Sequence, residues 1–210
     1  MTETTEPHAD PAPLRTALIL AGMALLQEGG MPALTLRRAA ARAGVSHAAP
    51  AHHFNGLPGL LTAIAARAFH LFCTAMEEAR DHATTPFDRL QAICQGYLAF
   101  AAAHQGLFHV MFVSPEVLRA DPDLTWHANR AYLILRDGCL PFAAQGADAD
   151  EALETTVWSM VHGYAVLGFQ TKARLPGPIA HPPDFATLLS ELLAHRAVTR
   201  NPLAPPAKLR

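Results

Sequence analysis

The segment Gly44-Val45-Ser46 separates two short helical patterns, and it constrains the fold of this chain more than any other segment. Upstream of it, Thr35 can cap a helix whose apolar residues recur at intervals of three and four positions, which is typical of an amphipathic helix. Gly44 then stands where the backbone must turn through a left-handed conformation, which glycine adopts without the steric cost of a Cβ atom. Val45 can fill the angle between the helices. The segment therefore predicts a tight turn between two helices.

A second short helix is expected from His47 to His53, with Ser46 as its N-cap. Pro50 and Phe54 would face inward, and the damage from a proline so near the helix start should be small. The residues that would face outward are His47, Ala48, Ala51 and His52. Such a pair forms a helix-turn-helix, in which outward imidazoles can donate to purines and alanines can touch thymine methyl groups. A Gly-Val-Ser turn can also simply join two packed helices.

Basic charge is concentrated around this turn. The whole chain has a formal net charge of -2. Residues 14–68, however, contain five arginines and one glutamate, so this segment has a net charge of +4. The remainder, residues 69–210, has 11 basic and 14 acidic residues. A basic segment that holds the turn is what a phosphate-facing module needs, although a solvated arginine face is common on helical proteins.

The rest of the chain has helical periodicity, and no segment alternates as a strand would. The predicted helices cover residues 14–28, 58–79, 86–104, 105–112, 121–137, 148–171 and 185–198, with a proline-rich loop at 175–183. The helix at 148–171 is apolar on two faces, so it is either central or shared between subunits. Gly163 and Gly168 could let another helix approach it closely, as in a four-helix dimer seam formed with the last helix.

Cysteine content and terminal composition indicate a reduced, cytoplasmic protein. Cys73, Cys94 and Cys139 are odd in number and widely spaced, which favours buried thiols over disulfides or a zinc site. The N-terminal segment lacks the apolar core of a signal sequence, and no stretch approaches the roughly 20 apolar residues of a membrane span. We therefore expect no membrane partner.

Several spacings agree at once with the TetR family of transcriptional regulators. The segments Thr35-Leu36-Arg37-Arg38, Ala40 to Ser46, and His53-Phe54 before Leu60-Leu61 resemble the N-terminal domain of that family over residues 14–68. Trp158, His162 and Gly163 resemble its WHG-type C-terminal domain. The resemblance implies an all-α, cytoplasmic homodimer, expected to be a repressor, that binds a palindromic operator in double-stranded DNA. A small apolar effector bound in the C-terminal domain would set its operator affinity.

The resemblance also implies a domain division and two sets of site residues. Residues 1–13 would be a disordered tail, 14–68 the three-helix DNA-binding domain, 69–198 the effector-binding and dimerisation domain, and 199–210 a loose tail. The DNA-binding candidates are Thr35, Arg37, Ser46, His47, Ala48, Ala49, Ala51, His52 and His53. The ligand-binding candidates are Phe72, Tyr97, Phe100, Phe108, Phe112, Trp126, Trp158 and His162, although apolar residues at helical spacing more often fill a core than hold a ligand. No cofactor, metal or catalytic residue is expected.

Two positions depart from the family pattern. The family usually has tyrosine where this chain has Ala51 and lysine where it has Leu57, and neither replacement can donate a hydrogen bond to a phosphate. Arg37, Arg38 and Arg42 would remain as phosphate contacts, so we expect weakened DNA binding. The alternative function is a ligand-binding helical dimer whose DNA binding is weakened or lost.

Enzymatic and metal-binding functions have less support from the residues. The chain has no glycine-rich phosphate loop, no nucleophile elbow and no H-E-x-x-H motif. His47, His52 and His53 are spaced at i, i+5 and i+6, which places them on different faces of a helix rather than around one metal ion. His53 is more simply explained as a packed histidine beside Phe54.

Overall fold

The computed structural model describes residues 11–143, 150–168 and 182–200, and in these ranges the chain is helical without any strand. This confirms the all-α fold class. The helices are α1 (Pro11–Gly29), α2 (Leu36–Arg42), α3 (Ala49–His53), α4 (Gly56–Asp81), α5 (Pro86–Ala103), α6 (Gln105–Phe112), α7 (Pro122–Cys139), α8 (Glu151–Val166) and α9 (Phe185–Arg200). Residues 1–10 and 201–210 of the predicted tails, and most of the predicted loop at 175–183, lie outside the described residues.

The ends of α8 differ from the helix predicted at 148–171. The carboxylate of Asp150 accepts the N–H of Leu153 at 3.0 Å, and this cap begins the helix at Glu151. The helix ends at Val166 because Gly168 has a φ of +71°, a left-handed conformation that terminates helices. Gly168 therefore lies just beyond the helix, and the expectation that it lets a second helix approach stays a prediction. Residues 148–149 and 169–171 of that prediction lie outside the described part of the chain.

The described residues form two compact units. The first runs up to Thr74 and includes Ala103–Tyr132, while the second consists of Ala75–Ala102 and the residues from Leu133 onward. The largest fully buried side chains of the first core are Leu18, Leu26, Leu60, Leu61, Ile64, Phe72, Leu107 and Met111. Those of the second are Met76, Leu90, Ile93 and Leu153. The predicted domain boundaries after residues 13, 68 and 198 stay predictions.

Helix α4 is long and apolar enough to cross a membrane, by length and composition alone. The expectation that no segment approaches such a composition was therefore wrong. However, 61% of its most apolar window is buried inside the protein, as in the core helix of a globular domain. Its buried residues Leu60, Leu61 and Ile64 explain the composition, because they fill the core of the first unit.

The three cysteines are buried and form no disulfide, which confirms the expectation of core thiols. Burial raises the pKa of the Cys94 thiol, and nearby Cys139 raises it further. Burial likewise raises the pKa of Cys139 to about 12, with added contributions from the carboxylates of Glu154 and Asp150. Because the thiolate is the reactive form, these two thiols are chemically inert in the folded protein.

Candidate functional site

Helix α2 begins and ends as the sequence predicts. The hydroxyl oxygen of Thr35 accepts the N–H of Arg38 at 3.1 Å, which confirms the predicted N-cap. At the other end, the N–H of Gly44 donates to a carbonyl of α2 at 3.2 Å and the N–H of Val45 donates to the carbonyl of Ala40 at 3.0 Å. Gly44 has a φ of +70°. These are the two hydrogen bonds and the left-handed residue of a Schellman motif, so the turn after α2 is fixed by the backbone.

Helix α3 begins two residues later than predicted. Its N-cap is Ala48, which has no capping side chain, and Ser46 contributes only a backbone carbonyl that accepts the N–H of Ala49 at 3.1 Å. The prediction of Ser46 as a side-chain N-cap was therefore wrong. The reason lies in Pro50, which cannot supply the N–H that a helix starting at His47 would need there. In the observed helix, Pro50 is in the first turn, where an N–H would have no intrahelical partner.

The two faces of α3 are arranged as expected. Pro50 and Phe54 are buried and anchor the helix. The opposite side is exposed and consists of Ala51 and His52 of α3 together with His47 and Ala48, which precede the helix. His53 is half-buried, with its ring centroid 6.4 Å from that of Phe54, in agreement with its interpretation as a packed histidine. Ser46 is exposed and Ala49 half-buried, so all the predicted residues of this helix lie at or near one surface.

The arginines around the turn differ in what they contact. Arg37 and Arg38 are exposed on α2. Arg42 instead forms two hydrogen bonds of 2.7 Å to the two carboxylate oxygens of Glu28, which ties α2 to α1. The expectation that Arg42 remains available for phosphate is therefore not met in this conformation. Arg15, whose contact the sequence did not predict, lies with its guanidinium carbon 5.5 Å from the ring centroid of Phe54.

The two departures from the family pattern lie on the exposed side of α3 and at the start of α4. Ala51 is on the exposed face of α3, so a longer polar side chain there would extend into solvent. Leu57 is the second residue of α4 and is half-buried. The surface around the turn is therefore poorer in hydrogen-bond donors than the net charge of residues 14–68 indicates.

The ligand-binding candidates are divided between the two units. Phe72, Phe108 and Phe112 are in the first unit, where Phe112 lies 6.1 Å from Phe72 and 4.8 Å from Phe108 between ring centroids. Phe69, which was not among the candidates, completes this aromatic cluster at 5.3 Å from Phe112. Phe72 and Phe108 are buried, and the cluster is a packed core in which the rings contact one another.

Tyr97, Trp158 and His162 come together in the second unit. The hydroxyl of Tyr97 lies 2.7 Å from Nδ1 of His162, and the side chain of Trp158 is also hydrogen-bonded to Tyr97. Burial raises the pKa of Tyr97 and lowers that of His162, so both groups are neutral near pH 7. Donation from the indole to the hydroxyl oxygen, and from the hydroxyl to the imidazole, satisfies the three groups together.

The two remaining ligand-binding candidates differ in exposure. Phe100 is 4% exposed on α5. Trp126 is 58% exposed on α7, where Arg130 lies with its guanidinium carbon 6.0 Å from the indole centroid. The structure therefore brings together Phe72, Phe108 and Phe112 in one group and Tyr97, Trp158 and His162 in another, while Trp126 faces solvent. Among the described residues, no group of three or more potential ligands could hold a metal ion.

In the described part of the chain, α2 and α3 form a helix-turn-helix whose second helix exposes one side, an arrangement typical of DNA-binding regulators. Two family models match the chain. "Bacterial regulatory proteins, tetR family" covers residues 18–68, and "Tetracyclin repressor-like, C-terminal domain" covers residues 90–195. The chain therefore belongs to the TetR family of transcriptional regulators, as the resemblance in its sequence implied.

Solved structures share this fold at low sequence identity. A protein of unknown function from Rhodococcus sp. RHA1 has a TM-score of 0.66 and 24% identity over 92% of this chain and 97% of its own. A possible TetR family transcriptional regulator from Streptomyces coelicolor A3(2) has a TM-score of 0.56 and 20% identity over 90% of this chain and 100% of its own. The regulator FadR from Bacillus subtilis in complex with stearoyl-CoA has a TM-score of 0.61 and 14% identity over 86% of this chain and 96% of its own. No curated protein sequence matches this chain.

Proposed function

We propose that this protein is a cytoplasmic homodimeric repressor that binds a palindromic operator through α2 and α3 and responds to a small apolar effector. The observation that carries the proposal is the exposed face of α3, which the Gly44 turn and the buried Pro50 and Phe54 hold outward. His47 and His52 on this face can donate to N7 or O6 of a purine, while its alanines contact thymine methyl groups. Arg37 and Arg38 supply contacts to phosphates.

The proposed dimer forms through α8 and α9. Trp158, Val166 and Leu167 are 40%, 62% and 47% exposed, an unusual concentration of apolar surface at one helix and its C-terminus. A Cβ atom at Gly163 would meet nothing within 4 Å among the described residues, so a partner helix has space to approach there. On α9, the side chains of Leu188, Leu192 and Leu193 are each only half-buried. Two copies of such a helix pair make a four-helix seam that would cover these side chains.

The proposed effector site has Tyr97, Trp158 and His162 as its polar end. These side chains can orient one polar group of an otherwise apolar molecule, because Tyr97 and Trp158 combine an apolar ring with a hydrogen-bonding group. FadR from Bacillus subtilis, which has the same fold, is in complex with stearoyl-CoA, and this supports an apolar effector for the C-terminal part of this chain. The identity of the effector is left to experiment.

A footprint of the purified protein at low ionic strength tests operator binding. The expected result is protection of an inverted repeat whose half-sites are about one helical turn, or roughly 10 base pairs, apart. A double variant, His47→Ala with His52→Ala, should lose this protection. The matched control is His82→Ala, because His82 is equally exposed but follows α4. If the protein prefers no palindrome over random DNA, or if the double variant protects as well as the parent, the proposal is wrong.

The second candidate function is a ligand-binding dimer that has lost DNA binding. Three features of the surface favour it: Ala51 and Leu57 lack phosphate donors, and Arg42 is held by Glu28. Size-exclusion chromatography with light scattering, combined with the footprint, separates the two candidates. A dimer that protects no DNA at low salt would support the second candidate, whereas a dimer that protects a palindrome would support the first.

A further inference from the structure

We propose that the first unit contains a binding site for a small anion in a cleft between α1, α4 and α7. The cleft has a volume of about 380 Å³, within the range of sites that hold small organic molecules. Its lining includes Arg15 from α1, Arg67 and His70 from α4, and His127 from α7. Neither the exposed face of α3 nor the Tyr97 cluster includes any of these residues, so the inference stands independently of the proposed function.

The two arginines carry the positive charge of the cleft. Arg67 is exposed and makes no hydrogen bond or ion pair with any residue in the described part of the chain. Arg15 is also exposed, and its guanidinium is placed by its contact with the ring of Phe54. A guanidinium offers a planar fork of N–H donors that matches the two oxygens of a carboxylate or the oxygens of a phosphate. An exposed, unpaired arginine on a concave surface is therefore suited to hold an anion.

Two imidazoles, one from α4 and one from α7, also line the cleft. The ring centroids of His70 and His127 are 5.4 Å apart with an interplanar angle of 72°, so the rings pack edge to face. Nε2 of His127 lies 3.6 Å from a carboxylate oxygen of Asp123. Burial lowers the pKa of His127, Asp123 opposes this shift, and His70 and the charges of Arg130 and Arg67 lower the pKa further. The positive charge of Arg67 therefore lies close enough to lower the pKa of His127 within this cleft.

The charge balance of the lining favours a negative ligand. Asp123 is the only carboxylate among the cleft residues, and its side chain is 65% exposed beside His127. Apart from the imidazoles, two guanidinium groups and one carboxylate leave a net positive charge on a surface that is open to solvent. An anion between the guanidinium groups would complete the charge balance without displacing any protein contact of Arg67.

Apart from Thr16, the remaining lining is apolar, which indicates that the anion carries a small apolar group. Ile19 and Ala63 are each 7% exposed, whereas Leu20 is 50% exposed at the edge of the cleft. A carboxylate attached to a ring could place its oxygens at the arginines and its ring against Leu20. A free phosphate would use the arginines alone. Both ligands present an oxyanion to the arginines. A comparison of an aromatic carboxylate with free phosphate therefore shows whether the apolar residues contribute to binding.

Isothermal titration calorimetry with benzoate, its neutral analogue benzamide, and inorganic phosphate tests the site. We expect saturable binding of benzoate and none of benzamide. Arg67→Gln should weaken benzoate binding about tenfold or more, because it removes a charge-assisted hydrogen bond. Arg37→Gln is the matched control, since Arg37 is also exposed in the first unit but does not line the cleft, and it should bind as the parent does. Weaker binding of phosphate than of benzoate would assign a role to Leu20.

A second variant and a stability measurement make the result decisive. Arg15→Gln should also weaken binding, and benzoate should raise the unfolding temperature of the parent more than that of either cleft variant. Circular dichroism checks that each variant is folded. The proposal is overturned if neither benzoate nor phosphate binds saturably, if benzamide binds as well as benzoate, or if Arg67→Gln binds benzoate like the parent.

Discussion

Replacing Gly44 by alanine tests whether the turn between α2 and α3 depends on a left-handed backbone. Gly44 has a φ of +70°, and a Cβ atom added there would meet nothing within 4 Å. The cost therefore comes from the backbone alone and amounts to about 1–2 kcal/mol. Alanine also reduces the conformational freedom of the unfolded chain, which offsets roughly 0.4–1 kcal/mol of this cost. We expect a net loss of about 1 kcal/mol in the free energy of unfolding, and a smaller loss for Gly44→Asn, because asparagine tolerates this conformation.

Urea unfolding at a fixed protein concentration measures the effect. Gly59→Ala is the control, because Gly59 lies in the first turns of α4 and a Cβ atom there meets Phe54 at an ordinary contact distance of 3.5 Å. In a helix, alanine should stabilise by up to about 0.5–1 kcal/mol relative to glycine. The reasoning is refuted if Gly44→Ala unfolds at the same urea concentration as the parent or a higher one while Gly59→Ala is stabilised. That outcome would mean that Gly44 does not hold the turn through its positive φ.

Three further predictions concern the DNA interface and the buried groups. Leu57→Lys should tighten DNA binding and steepen its log–log salt dependence by about two units for a dimer, since each phosphate contact contributes about 0.9; an unchanged slope in gel shifts would show that Leu57 does not face the DNA backbone. At pH 8, Ellman's reagent should label none of the three buried thiols before unfolding, because burial raises the pKa of Cys139 to about 12 and also protects the other two; rapid labelling of the native protein would contradict this. Burial lowers the pKa of His127 and of His162 from 6.5, so the unfolded chain binds more protons and the free energy of unfolding should fall as the pH drops below about 6.5. Urea titrations at pH 7 and pH 5 should show a smaller fall when both are replaced by glutamine, and an equal fall would exclude them as the cause.

The parts of the site that the sequence predicted correctly are those fixed by near neighbours in the chain. The hydroxyl oxygen of Thr35 accepts the N–H of a residue three positions later. In the turn, the N–H of Gly44 donates to a carbonyl three residues earlier, and the N–H of the next residue donates to a carbonyl five residues before it. The inward and outward faces of α3 follow from helical periodicity across only eight positions. Helix α6 covers Gln105–Phe112, the same residues that the sequence predicts. Each of these features depends on local geometry, which a sequence pattern contains.

The features that the sequence did not predict depend on contacts between distant segments. Arg42 and Glu28 are 14 residues apart, and their pairing requires α1 and α2 to pack at a particular angle. The grouping of aromatic residues is similar, because periodicity marks Phe72 and Tyr97 alike as buried. Only the fold assigns Phe72 to an aromatic core and Tyr97 to a hydrogen-bonded group with a histidine 65 residues away. The error at Ser46 is different in kind, since Pro50 moved the start of a very short helix.

These long-range contacts change the expected electrostatics of DNA binding. A net charge of +4 for residues 14–68 treats five arginines as equivalent, but the structure divides them. Arg42 is held by Glu28, whereas Arg15 and Arg67 line the cleft between α1, α4 and α7. Arg37 and Arg38 remain, so a dimer offers about four phosphate contacts and a log–log salt slope of about 3.6. The Arg42 pair is exposed and contributes at most about 1 kcal/mol, so a phosphate that approaches Arg42 can replace Glu28. A slope well above this value would indicate that further cations contact phosphate, as Arg42 would if it exchanged Glu28 for the DNA backbone.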